Sequence, residues 1–253
     1  MKRHISILGL IFAITVLVSC GNRQNENTPE PTKKNTYKPI EALKEPTRLE
    51  KMGMTEKQVR FEDDTPEAQQ LIIPASQMIN QKSYKTAIEF LDKYIALRPD
   101  RAIAYMMRGF AQTETENYTN ALVNMDKVLS ITPENNYARM LKGICHLKLK
   151  QLPEAWAAFG NVIKKEPKNM LAYYNRGQVL AFMERYKEAL TDFNEAIRLQ
   201  PDYAPAYNNR GNVKFLAGDK EGACDDWQRS MEMGNTASEK SYITHCQQSG
   251  KKK

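Results

Sequence analysis

Residues 170–203, MLAYYNRGQVLAFMERYKEALTDFNEAIRLQPDY, run without a gap into 204–237, APAYNNRGNVKFLAGDKEGACDDWQRSMEMGNTA. Each segment is 34 residues long, with glycine at its eighth place (Gly177, Gly211), alanine at its twentieth (Ala189, Ala223) and an aromatic at its twenty-fourth (Phe193, Trp227). Working outward, the glycines extend to Gly109 and Gly143, and the alanines to Ala87, Ala121 and Ala155. Prolines keep the same spacing at Pro99, Pro133, Pro167 and Pro201. Three residue types locked to one period mark internal repeats.

Each type has a physical task. Glycine lets a first helix approach its partner without an intervening side chain, and alanine serves the same closeness from the second helix. Proline ends the second helix, because it has no N–H to donate and restricts the residue before it. Large apolar groups fill the space between: Met125, Phe159, Phe193 and Trp227 at the twenty-fourth position, Tyr84, Tyr118 and Tyr186 at the seventeenth. The period and its small residues resemble the tetratricopeptide repeat (TPR). The resemblance implies an all-α solenoid of five helix-turn-helix repeats, 68–101, 102–135, 136–169, 170–203 and 204–237, within a domain covering 66–248. Repeat one is degenerate, with Ala75 in the glycine place and Pro74 inside the first helix, which should start late or kink. Residues 236–248 read as a capping helix, and Pro153 falls in the first turn of a second helix, where its missing N–H costs nothing.

The chain begins with a segment that is not read as part of this fold. Lys2 and Arg3 precede a near-continuous apolar run, Ile5–Val18, too short for a spanning helix. Leu17-Val18-Ser19-Cys20 resembles the lipobox of bacterial lipoproteins. That resemblance implies a signal peptide over 1–19, diacylglycerol on the Cys20 sulfur and acylation (palmitate) of the new amino terminus. The alternative is an ordinary signal peptide with a cysteine at its cleavage site. Several acyl chains anchor a protein stably. Gly21 follows in place of the aspartate that the family uses for inner-membrane retention, so an exported protein of the outer membrane is expected. Residues 20–65 are rich in Asn, Pro, Lys, Glu and Thr, with Tyr37 and Phe61 their only aromatics, and read as a disordered tether. Such a chain of about 45 residues spans roughly 35–40 Å.

Charge excludes one class of partner. The net charge is +7, and loss of Lys2 and Arg3 leaves 35 basic residues against 30 acidic ones. Three of the remaining excess charges sit in the basic tail, 249–253, so no basic stripe exists to track a nucleic acid. The motifs of catalysis are missing as well: no phosphate loop, serine elbow, paired carboxylates or cofactor motif is visible. His146 and His245 have no second ligand at a zinc-type spacing, so no metal is expected. Cys145 adjoins His146, but helical neighbours point about 100° apart, and a buried, inert thiol is the reading. The expected class is a binding protein, not an enzyme.

Two constellations remain. Cys224 and Cys246 fall near the facing ends of two antiparallel helices, where they form either a disulfide that pins the cap or two separately buried thiols. Arg108, Lys142, Arg176 and Arg210 recur at the seventh position, either as a basic ladder for acidic ligands or as stems packed on helices with heads paired to acids such as Asp192 and Asp226. The TPR resemblance further implies a concave groove lined by the second, fifth, ninth and twelfth positions of the first helices. These are Ile103, Met106, Phe110 and Thr113, then Tyr137, Met140, Ile144 and Leu147, then Leu171, Tyr174, Gln178 and Ala181, and last Pro205, Asn208, Asn212 and Phe215. An apolar groove with methionines suits an amphipathic helix or an extended apolar segment of another protein, and the amides at its C-terminal end would meet a peptide backbone. Alternatively these groups pack between helices, or are covered by the tether or a second copy. Two functions are carried forward: a membrane-anchored adaptor for a protein or peptide of the cell envelope, and a self-associating structural module.

Overall fold

The computed structural model describes residues 64–247; the signal segment, Cys20, nearly all of the tether and the basic tail lie outside the described residues. Eleven helices and no strand occur among the described residues. They pair as five hairpins: α1 (Pro66–Asn80) with α2 (Tyr84–Leu97), α3 (Ala102–Glu114) with α4 (Tyr118–Ile131), α5 (Asn136–Lys148) with α6 (Leu152–Lys165), α7 (Met170–Phe182) with α8 (Tyr186–Leu199), and α9 (Ala204–Leu216) with α10 (Lys220–Glu232). A single helix, α11 (Ala237–His245), follows.

Sequence signals account for these limits. Helices α2, α4, α6 and α8 each end two residues before their proline, as the restriction on the residue preceding proline requires. The next helix is then capped by side chains in two cases: Asn135 accepts from the Ala138 N–H (2.8 Å) and Asn169 from the Ala172 N–H (3.1 Å). The turns inside the hairpins are also regular. Lys82, Glu116, Lys150, Glu184 and Gly218 all take positive φ, and the N–H one residue later returns to a carbonyl five residues back, as Ser83 does to Met78 and Asn117 to Gln112. This closure satisfies helix-end carbonyls. Only the fifth turn uses glycine, so four non-glycine residues accept the left-handed conformation.

The contact that joins each hairpin is the one between the eighth and twenty-fourth repeat positions. Leu91, Met125, Phe159, Phe193 and Trp227 have no solvent exposure. A methyl group built on Gly109 would lie 2.2 Å from Met125, one on Gly143 2.6 Å from Phe159, and one on Gly211 2.9 Å from Trp227. Repeat one tolerates Ala75, itself fully buried, because its partner is Leu91, the shortest side chain in the series. The late start or kink expected of that repeat takes another form: α1 starts early, at Pro66, with the Thr65 hydroxyl accepting from the Ala68 N–H (3.3 Å), and runs on through Pro74. Proline at the first helical turn is harmless, and Pro74 removes a single ladder bond.

First helices of successive repeats touch one another, whereas no pair of second helices does so to a comparable extent among the described residues. The repeats therefore curve with α3, α5, α7 and α9 on the inner side. Helix α11 begins where a sixth first helix would, but it buries only Ser238 and Ser241. Its ties are to the fifth repeat: the Ser238 hydroxyl donates to Asn208 Oδ1 (2.9 Å), His245 stacks on Phe215 at 4.4 Å between ring centroids, and Cys246 is joined to Cys224 in a disulfide with Cα atoms 5.8 Å apart.

Two measurements test this account. Gly143→Ala should cost about 1–3 kcal/mol through overpacking against Phe159. Gly160→Ala, on a helix where the new methyl meets only Arg176 at 3.8 Å, should instead stabilise by about 0.5–1 kcal/mol; urea unfolding of both variants reads the opposite signs. For the cap, the Cys224→Ser, Cys246→Ser double variant opens a loop of sequence separation 22 and should lose about 3 kcal/mol under non-reducing conditions, with amide exchange rising first in α11.

Candidate functional site

The inner face is built from the exposed sides of the first helices, and the structure sorts its sixteen sequence-expected positions into three groups. Ile103, Met106, Phe110, Met140, Tyr174 and Gln178 are buried and form part of the packing between helices. Tyr137, Ile144, Leu147, Thr113, Ala181, Pro205, Asn208, Asn212 and Phe215 are half-buried, and Leu171 is exposed. The accessible apolar surface is thus centred on repeats three and four, not on repeat two.

The amide-rich C-terminal end is largely engaged by the protein itself. Asn208 Oδ1 accepts from Ser238, and Asn212 Oδ1 accepts from Trp227 Nε1 (2.9 Å). Phe215, Trp227 and His245 form a three-ring cluster, with centroids 5.6 Å (Phe215–Trp227), 4.4 Å (Phe215–His245) and 5.8 Å (Trp227–His245) apart. The expectation that these amides meet a peptide backbone therefore holds least well here, because α11 docks where a sixth repeat would stand. One step inward, Asn209 Nδ2 donates to Tyr174 Oη (3.0 Å), and burial, with Tyr203 alongside, pushes the Tyr174 hydroxyl above its ordinary pKa. Beside it, Gln178 Nε2 is the one buried side-chain nitrogen or oxygen without a hydrogen-bond partner among the described residues.

The recurring cations of the seventh position are internally paired. Each sits between two second helices: its own, at the twenty-third position, and the preceding one, at the twenty-fifth. Arg108 uses both, donating to Asn124 (3.0 and 2.9 Å) and to Asp92 (2.6 Å). Lys142 has Ala158 at its own twenty-third position and turns back to Asp126 (2.5 Å). Arg176 has Gly160 behind it and forms a fork on Asp192 (2.7 and 2.8 Å). Arg210 has both again: Asp226 (2.8 and 2.6 Å) and Asn194 (2.7 Å), with Lys214 also on Asp226 (2.9 Å). Such two-pronged charged bonds are strong, so the ladder is a set of rivets between helices and offers little to an acidic ligand.

Cys145 and His146 are not brought together. Cys145 is fully buried, burial pushes its thiol above the ordinary pKa, and its sulfur lies 3.4 Å from the Thr113 hydroxyl. His146 Nδ1 instead contacts Gln151 Oε1 (2.7 Å). Among the described residues no three His, Cys, Asp or Glu side chains are placed to hold a metal ion, and no helix is long and apolar enough to cross a membrane.

Two features were missed by sequence reasoning. Asp64, at the very start of the described chain, is buried and accepts from Tyr94 Oη (2.5 Å) while pairing with Arg98. Nothing in a polar run flags such a carboxylate. Trp156 stands exposed at the twenty-first position, where other repeats have Ile88, Leu122 and Leu190, over a cleft lined by Arg176, Leu180 and Glu188; Arg185 lies 5.6 Å from its ring. That substitution in the period was the available signal.

A curved stack of helical hairpins with Gly/Ala/Pro punctuation defines a class of fold, the helical repeat solenoid. The family model described as tetratricopeptide repeat matches residues 171–203. The matched segment is α7 with α8, one of five helical hairpins that share the same positions in the same fold. The fold is similar to that of MamA from Desulfovibrio magneticus RS-1, in a form running from residue 41 to its end (TM-score 0.64, 21% identity, 68% of this chain and 97% of that one). It is likewise similar to YrrB, described as a TPR protein with an unusual peptide-binding site (TM-score 0.59, 22% identity, 72% and 94%). Identities this low establish the fold. No curated protein matches the sequence.

The ladder makes a graded prediction. Asp192→Ala strands the half-buried Arg176 guanidinium and should cost about 1.5–3 kcal/mol. Removing the more exposed Lys142–Asp126 pair by Asp126→Ala should cost under about 1 kcal/mol, and the two denaturation midpoints give the comparison.

Proposed function

We propose that this chain is a membrane-anchored adaptor of the bacterial envelope, held by lipid at Cys20, whose inner face binds an apolar helix or extended segment of another protein. The observation that carries the binding role is the accessible apolar surface of Ile144, Leu147 and Leu171, supplied by two adjacent first helices. Side chains of this kind left open on a rigid concave surface serve recognition of a helix or strand. The peptide-binding site named for YrrB supports the same use of the fold.

Export and anchoring rest on different observations. Leu17–Cys20 has the lipobox pattern, and the Cys224–Cys246 disulfide suits an oxidising compartment such as the periplasm or cell surface. Gly21 favours the outer membrane.

The test is crosslinking capture from intact envelopes with an Ile144→Glu, Leu147→Glu, Leu171→Glu variant. These positions are accessible, so the fold should survive where changes at buried Met106 or Phe110 would not. Loss of specific partners from a folded variant supports the inner face as the binding surface; retention of the same partners refutes it. Capture of further copies of this chain alone would favour self-association. Separately, Cys20→Ala should move the protein from the membrane to the soluble fraction, and continued membrane attachment would end the anchor proposal.

A further inference from the structure

The junction between repeats three and four departs from the others at two positions. At the twenty-fifth, α6 carries Gly160, where the other second helices carry Asp92, Asp126, Asn194 and Gln228. At the twenty-first it carries Trp156, where they carry Ile88, Leu122, Leu190 and Cys224. One change removes a side chain and the other sets a large ring beside the gap. A methyl group built on Gly160 would meet nothing nearer than Arg176 Nη1, at 3.8 Å. Trp156 is 39% exposed, whereas Trp227, the other tryptophan of the chain, has no exposure.

The result is an open cleft of about 190 Å³ on the outer side of the stack. Trp156 forms one wall, Arg176 and Leu180 of α7 the base, and Glu188, Thr191 and Asp192 of α8 the other wall. Its charges cancel. Arg176 forks onto Asp192, and Arg185, at the rim, forks onto Glu188 (2.7 and 2.7 Å). Two cations against two anions give neither an anionic nor a cationic ligand an advantage. Hydrogen-bonding capacity is nevertheless left over. Arg176 spends Nε and Nη2 on Asp192, so Nη1 has no acceptor among the described residues. Each Glu188 oxygen keeps a lone pair beyond the one that Arg185 uses. The Arg185 guanidinium lies 5.6 Å from the indole centroid, too far for the two planes to stack in contact, so it flanks the ring without covering it.

An apolar side chain seated here would meet indole on one side and ionised groups on the other, and would leave the spare donor and acceptors desolvated. The occupant that fits has one apolar face and an edge that both donates and accepts. A sugar ring has this form: its axial C–H groups make the apolar face and its hydroxyls the edge. The volume falls below the roughly 300 Å³ at which pockets for whole drug-sized ligands begin, which suits one ring of a longer chain.

We propose that this cleft is a saccharide subsite, in which one neutral pyranose ring of a glycan lies against the Trp156 indole while its hydroxyls accept from Arg176 Nη1 and donate to Glu188. The site faces away from the inner surface of the stack and stands whether or not that surface binds a protein.

The test titrates the full chain, in detergent, with cellotetraose, maltotetraose and chitotetraose, and with an uncharged apolar peptide. Trp227 is buried, so a change in tryptophan emission reports Trp156; calorimetry gives the affinity independently of that reporter. Trp156→Leu and Gly160→Asp each install the residue that neighbouring repeats carry, so helix content should not change. Saturable binding of at least one tetrasaccharide should weaken roughly tenfold or more in both variants, since each loses a contact worth about 1.4 kcal/mol or more. In Gly160→Asp the emission change should also disappear although Trp156 remains. No saturable binding of any of the three sugars, or affinities unchanged in the two variants, overturns the proposal. Binding of the peptide alone, lost in the same variants, also overturns it and makes the cleft a protein-docking site.

Discussion

Everything else in this array depends on how closely the two helices of a hairpin can approach. That distance is set where a first-helix glycine meets the twenty-fourth side chain of the same repeat, with Phe159 so close to Gly143 that one added methyl group cannot be placed. A close-packed interior cannot absorb such a change by small shifts spread everywhere. Because the same contact recurs every 34 residues, each hairpin presents nearly the same outline to the next, and stacking follows with constant hand and curvature. Repeat one shows that the pair is matched rather than invariant: an alanine is accepted where the opposing residue shrinks to leucine.

A second, polar system joins the hairpins to one another. The seventh-position cations reach either their own second helix or the previous one, according to which of the two offers a carboxylate or amide. Lys142 turns back because Ala158 offers nothing; Arg176 turns forward because Gly160 offers nothing. Buried, two-pronged pairs such as Arg176–Asp192 contribute mainly by fixing geometry, since the desolvation they cost offsets much of their attraction. The ladder thus reads as a registration device along the convex side, and it leaves the inner face to apolar and amide groups.

Legibility of the site followed directly from what kind of information each residue carried. Groove positions were inferred from repeat register, and register says which side of a helix a residue occupies. It does not say how deeply that side is covered. Met106 and Met140 look equivalent to Ile144 and Leu147 by number, yet the former two are buried and the latter two are not. Asn208 and Asn212 look like free amides until Ser238 and Trp227 are seen beside them. The buried Asp64 gave no signal at all, because its partners Tyr94 and Arg98 lie thirty or more residues away.

By itself the sequence determined the helical class, the 34-residue period, the small-to-large pairing at the hairpin cores and the spacing of the two facing cysteines. These follow from local rules, periodicity and steric exclusion, which act over one repeat and are written in full within it. Only the tertiary structure decided which inner-face residues remain open, which partner each ladder cation takes, and that the cap consumes the C-terminal amides. Those outcomes depend on contacts between neighbouring repeats, where coverage is a property of the stack and not of any one position in it.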